Sequence, residues 1–186
     1  MTTPLDGLTV RVTSPDNQIR AVIRHPHEVS VEFRPGAYAR YDAAALERQL
    51  TRLAALCWTG FRRGLTQAST ADGISFLVDD EHDPSTAGRA YRAALAELEA
   101  RADSPGGWVR LATKGFLRWK IAIKPEALQR LSEQEFLSEA NAALRRVFAE
   151  HDSKVMMLKD EHFRLDLPPG MREWLNDSYP LPKAAS

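Results

Sequence analysis

Leu8-Thr9-Val10-Arg11-Val12-Thr13-Ser14-Pro15-Asp16 is followed ninety residues later by Leu98-Glu99-Ala100-Arg101-Ala102-Asp103-Ser104-Pro105-Gly106. The correspondence runs without a gap from Leu8 to about Phe61 and from Leu98 to about His151, pairing Arg20 with Arg110, Pro35 with Pro125, Ala37 with Ala127 and Arg40 with Arg130. Eight identities in 54 positions exceed the roughly 3 that ordinary residue frequencies give by chance. The matches fall at turns and element ends, and the apolar rhythm between them coincides. Val29, Val31 and Phe33 align with Trp119, Ile121 and Ile123, and Leu46, Leu50, Leu53 and Cys57 with Phe136, Ala140, Ala143 and Val147. A period of this size is that of a duplicated small domain rather than of a solenoid.

Within the first copy, Leu8, Val10 and Val12 alternate with polar residues, the period of a strand with one wet face. Ser14-Pro15-Asp16-Asn17 is a turn; Ile19, Ala21 and Ile23 alternate with Arg20 and Arg24. His25-Pro26-His27 breaks the run, and Val29, Val31 and Phe33 alternate with Ser30, Glu32 and Arg34. Three antiparallel strands in a meander follow. The second copy reads likewise: Leu98, Ala100 and Ala102; the turn Ser104 to Gly107; Val109 and Leu111; a bend at Lys114-Gly115; then Leu117, Trp119, Ile121 and Ile123 against Arg118, Lys120 and Lys124.

Each meander leads into a long amphipathic helix. Asp42 is placed to cap the first, whose stripe is Leu46, Leu50, Leu53, Cys57 and Phe61; Ser132 and Glu135 form a capping box on the second. These stripes are suited to cover the dry sheet faces. Asp83-Pro84 reads as the start of an extra helix before the second copy, with the stripe Ala87, Tyr91, Ala94, Leu95 and Leu98. The expected organisation is a first half over 1–71, an acidic connector over 72–83, a second half over 84–164 and a proline-rich tail over 165–186. In the connector, Ile74 to Val78 reads as a short strand or a helix extension. The fold class is α+β: two units, each a three-stranded antiparallel meander plus a long helix, related by a pseudo-twofold.

Net charge is zero over 186 residues, which argues mildly against attraction to polyanions. The distribution is uneven: +3 over 1–70, −5 over 71–107, +3 over 108–164. Residues Met1 to Arg11 lack a basic segment followed by an apolar run, and no stretch has the ~18 apolar residues a membrane span needs. A cytoplasmic protein is the expectation, and the lone Cys57, at an apolar helix position, agrees with a reducing compartment. It reads as a core residue.

The order helix, meander, helix is that of the YbaB/EbfC family of small bacterial nucleoid-associated proteins, which the second half resembles in sequence. The carrying residues are Leu98-Glu99-Ala100, Ser104-Pro105-Gly106-Gly107-Trp108-Val109, Ile121-Ala122-Ile123-Lys124-Pro125-Glu126-Ala127-Leu128, the helix from Ser132, and Leu167-Pro168-Pro169-Gly170-Met171. The resemblance covers about residues 84–171, and the repeat extends it to 8–69. It implies a homodimer-like arrangement fused into one chain, hence a monomer, that binds DNA with little sequence preference. The first copy departs from the pattern in lacking the leading helix and in its Cys57-Trp58-Thr59-Gly60 segment. The start Leu8 to Asp16 also resembles divergent relatives among accessory proteins of actinobacterial type VII secretion, which implies the alternative of a protein-binding chaperone or accessory factor with a protein client. Trp58-x-Gly60 and Tyr38-x-x-x-Asp42 echo motifs of small helical type VII substrates, but in reversed order and in a sheet-and-helix unit.

No spacing supplies the convergent groups that catalysis requires, and no glycine-rich phosphate loop, nucleophile elbow or zinc-protease motif is present. The expectation is a protein that is not an enzyme and takes no cofactor or metal. Asp79-Asp80-Glu81-His82-Asp83 lacks the glycine and spacing of a calcium loop and reads as a solvated linker; His25 and His27 read as turn residues, and Asp160-Glu161-His162 as no more. The wet sheet faces remain. Arg11, Arg20, Arg24 and Arg34 in one copy, and Arg101, Arg110, Arg118, Lys120 and Lys124 in the other, fall on the polar register and are the candidate DNA-binding residues. The ordinary role of such positions is a solvated antiparallel face. With only Trp108 and Phe116 interleaved, a single-strand stacking platform fits poorly.

Overall fold

The computed structural model describes residues 9–24, 28–71, 84–165 and 167–178. Leu8, His25 to His27, residues 72–83 and Pro180 to Pro182, for which the sequence also carries expectations, lie outside them. Two three-stranded antiparallel sheets are present, in orders β1-β2-β3 and β4-β5-β6. The first comprises β1 (Thr9–Thr13), β2 (Ile19–Arg24) and β3 (Glu28–Phe33); the second comprises β4 (Glu99–Asp103), β5 (Val109–Lys114) and β6 (Arg118–Ile123). The helices are α1 (Ala43–Ala71), α2 (Thr86–Glu97), the single turn α3 (Ala127–Arg130), α4 (Glu133–Phe163) and α5 (Pro169–Ser178). A mixed α+β fold is thereby shown.

Registers repeat at the ninety-residue offset. Thr9 faces Arg24 and Thr13 faces Arg20, as Glu99 faces Lys114 and Asp103 faces Arg110. The Ser-Pro turns use the same bonds. Ser14 N–H donates to Ile19 O and Ser104 N–H to Val109 O, both at 2.8 Å, and each buried seryl oxygen accepts from the amide at the start of the next strand. The fourth turn position is left-handed in both, Asn17 at φ 60° and Gly107 at φ 66°; asparagine and glycine are the residues that tolerate this at least cost.

The predicted helical stripe Leu46, Leu50, Leu53, Cys57 and Phe61 is buried throughout. Asp42 caps α1 by accepting from Ala45 N–H at 2.6 Å, and the Ser132–Glu135 capping box is present in full. One start differs. The cap of α2 is Ser85, whose hydroxyl accepts from Gly88 N–H, two residues past Asp83, which lies outside the described residues. Ser85 is the better cap because its short hydroxyl folds back on the first turn while Pro84 precedes it without a donor. The tail, read as proline-rich with one amphipathic turn, contains the ten-residue α5, held to α4 by the Arg172–Asp160 ion pair at 2.7 Å and by buried Leu175.

Each long helix serves both sheets. α1 packs on β1 and β2 and on β6; α4 packs on β4 and β5 and on β3. Glu47 of α1 accepts from Ile123 N–H of β6 at 2.7 Å, and Tyr38 O–H donates to Leu131 O at 3.1 Å. A single core results, in which large and small side chains trade places between corresponding positions, Ala21 against Leu111 and Leu53 against Ala143. An apolar cavity of about 80 Å³ lies within it, lined by residues of both halves including Val31, Cys57, Trp58, Ile121 and Phe148. Burial pushes the Cys57 thiol up to about 12, which leaves it protonated and unreactive at neutral pH.

Candidate nucleic-acid interface

The pleat sends alternate residues to opposite faces, so the candidate cations must share the outer faces if the registers hold. They do. On the first sheet the outward rows are Thr9, Arg24 and Glu28; Arg11, Val22 and Ser30; Thr13, Arg20 and Glu32. On the second they are Glu99, Lys114 and Arg118; Arg101, Ala112 and Lys120; Asp103, Arg110 and Ala122. Arg34 and Lys124 stand just past β3 and β6, and all nine candidates are exposed.

The two faces differ in charge. Arg20 sits opposite Glu32, and Arg24 opposite Glu28 with 4.0 Å between their charged groups, so the first face is nearly balanced. On the second, Arg101, Arg110, Arg118 and Lys120 line one concavity of about 520 Å³ together with Lys114. Three carboxylates answer them. Glu99 pairs with Arg101 at 2.6 Å, Asp103 with Arg110 at 2.6 Å, and Glu97 with Lys114 and with Arg118. Lys120 makes no ion pair among the described residues, and Lys124 holds its ammonium 5.4 Å from the centre of the Trp108 ring. Hydrogen bonds from Arg110 and Lys114 hold the Asp103 and Glu97 carboxyls below the usual carboxylate range, and the bond to Asp103 raises Arg110 further. The pairs lie at the solvent surface, where water screens them and each contributes little, so a phosphate can replace a carboxylate partner at little cost.

Arg20 and Arg34 line a separate, smaller concavity with Glu32, about 210 Å³ in volume; Arg11 and Arg24 line neither. The nine residues are therefore not one surface. Lys114 lines the larger concavity and Glu97 pairs with it and with Arg118, and neither was among the candidates. Reading Lys114 as a bend residue cut it from the alternation Arg110, Ala112, Lys114 that would have placed it on the outer face.

The two interleaved aromatics are also resolved. Phe116, with φ 57°, is 1% exposed and stacks among Trp58, Trp119, Phe148 and His151. Its neighbour Leu117, expected on the apolar register, is 52% exposed instead. The left-handed residues Gly115 and Phe116 invert the chain at this turn, and Gly115 is required because a Cβ there would stand 2.6 Å from Ala96 O.

Among the described residues, no group of three His, Cys, Asp or Glu side chains is arranged to hold a metal ion, and no helix is long and apolar enough to cross a membrane. No family model matches the chain, and neither the curated proteins nor the solved structures contain a match to it.

Proposed function

We propose that the protein is a non-enzymatic, nucleoid-associated-type DNA-binding protein of the cytoplasm with little sequence preference, and that the outer face of the second sheet is its principal contact. The observation that carries the reading is the concavity lined by Arg101, Arg110, Lys114, Arg118 and Lys120, with exposed Lys124 one residue past the end of β6. Affinity of this kind comes from neutralising phosphates and releasing their counterions. Cations on a rigid, twisted sheet can follow a duplex backbone without reading bases. The resemblance of residues 84–171 to the YbaB/EbfC family supports the same reading.

The repeat is the second part of the proposal. The two units form a pseudo-twofold pair, a family-type dimer fused into one chain, and the exchange of α1 and α4 onto each other's sheets supports it. An isologous interface already used within the chain leaves no equivalent surface for another copy, so the isolated protein is a monomer of 20.8 kDa. Light scattering after gel filtration checks this, and a dominant species at twice that mass refutes it. For binding, a random-sequence duplex titrated at rising salt is the test: the reading requires a Kd on the order of 1–100 µM at physiological salt, tightening as salt is lowered, with log K falling linearly in log salt.

A further inference from the structure

We propose that the free edge of β1 docks an extended peptide segment of a partner protein, which adds a fourth strand to the first sheet with an acidic side chain opposite Arg11. The ladder decides which groups are available. Ser14 N–H bonds Ile19 O, and pairing alternates along an antiparallel strand, so Val12 and Val10 bond inward to Ala21 and Ile23. Thr9, Arg11 and Thr13 therefore turn their N–H and C=O groups away from the sheet.

The matching edge of the second sheet is sealed by three successive turns of α4. Lys154 Nζ donates to Glu99 O at 2.9 Å, Arg101 N–H donates to Glu150 Oε2 at 3.1 Å, and Arg146 Nη1 donates to Asp103 O at 2.8 Å. Ninety residues earlier those three positions are Gly64, Gly60 and Leu56. None of them has a polar side chain to reach the edge. Gly60 lets α1 close onto the strand, since a Cβ there would lie 2.9 Å from Val10 Cγ1, and Leu56 is 45% exposed. Among the described residues, no hydrogen bond reaches the outward backbone groups of Thr9, Arg11 or Thr13.

An unpaired ladder is a template for another strand. A second copy of the chain fits it badly: the antiparallel register that uses all three positions sets Arg11 against Arg11 of the other copy, and like charges directly opposite each other destabilise a pair. Arg11 shares its row with Val22 and Ser30 and has no carboxylate partner among the described residues. The strand that fits carries Glu or Asp at that position and apolar residues at the alternate ones, toward Val10, Val12 and Leu56.

The test uses the full chain and the peptide acetyl-Thr-Val-Glu-Val-Thr-Val-Gly-Lys-amide, labelled with fluorescein on its lysine and followed by polarisation, with amide hydrogen exchange at Arg11 as the second readout. Saturable binding with slowed exchange at Arg11 is expected. N-methylation of the three peptide amides that face β1, those of the first Thr, the Glu and the second Thr, removes three main-chain bonds and weakens binding about tenfold or more. Exchanging the peptide Glu for Lys weakens it about fivefold, and Arg11→Glu reverses that preference. Leu56→Arg, which copies the Arg146 seal, lowers affinity for every peptide. The proposal is overturned by absence of saturation up to about 1 mM peptide, by binding indifferent to N-methylation, or by a concentration-dependent dimer abolished in Arg11→Glu, which would make a second copy the occupant.

Discussion

The two sheets share one register and differ in what their margins offer. On the first, arginines face glutamates across the strands and the β1 edge carries open backbone groups. On the second, cations outnumber carboxylates around a concavity and the β4 edge is closed by Arg146, Glu150 and Lys154. The buried positions of the two sheets follow a common pattern because they face one core, whereas the outer rows meet only solvent. That freedom lets one unit present charge and the other a strand edge.

The largest test of this contrast removes the seal. Glu150 and Lys154 are nearly enclosed, and Glu150→Ala leaves the Lys154 ammonium with only Glu99 O beside it. A buried charge that loses its partner costs about 3 kcal/mol, whereas Leu56→Ala, at an exposed position of the open edge, costs under about 0.5 kcal/mol. Urea unfolding measures both. Equal costs would show that the β4 network is not structural. Next is Gly60→Val, which drives a branched side chain into Val10 and is expected to cost about 1–3 kcal/mol despite a better helix propensity than glycine.

Smaller effects mark where the halves agree. Asp42→Ala and Ser132→Ala each remove a cap at corresponding positions and each should cost about 1 kcal/mol. Smallest is the bond from Tyr41 O–H to Asp16 at 2.5 Å, which the second half lacks because Leu131 and Gly106 stand there. Tyr41→Phe is expected to cost about 0.5–1 kcal/mol at neutral pH. Burial pushes the Asp16 carboxyl up, but bonds from Ser14, Tyr41 and Gln18 outweigh it and hold the group below 3.8. A lowered carboxylate stabilises the fold above its ordinary value and stops doing so as pH falls through the folded one. The gap between Tyr41→Phe and the parent chain should therefore narrow as pH falls below 3.8; a gap that widens there refutes the assignment.

Alternation and helical stripes carried most of the fold, because β and α periods of 2 and 3.6 impose themselves on buried residues. The strands, both long helices and both caps were legible in this way. Placing α1 on β6 and α4 on β3 was not, since no local pattern encodes which sheet a helix face covers. The candidate site was half legible. Its cations were found by register, but the glutamates opposite Arg20 and Arg24 emerged only once β2 and β3 were paired, and Phe116 escaped because a left-handed turn breaks the period on which such reading depends. The seal on β4 is formed by residues 43 to 55 positions away in sequence and was not read from it.

The central claim is that the second sheet, not the first, carries the DNA contact, and salt titration of duplex binding tests it most directly. Replacing Arg118, Lys120 and Lys124 with Ala together should flatten the slope of log K against log salt by up to about 3, while replacing Arg11, Arg20 and Arg24 together should change it by no more than about 1. Equal loss from both triples would contradict the account, as would absence of binding by the parent chain at about 50 mM salt.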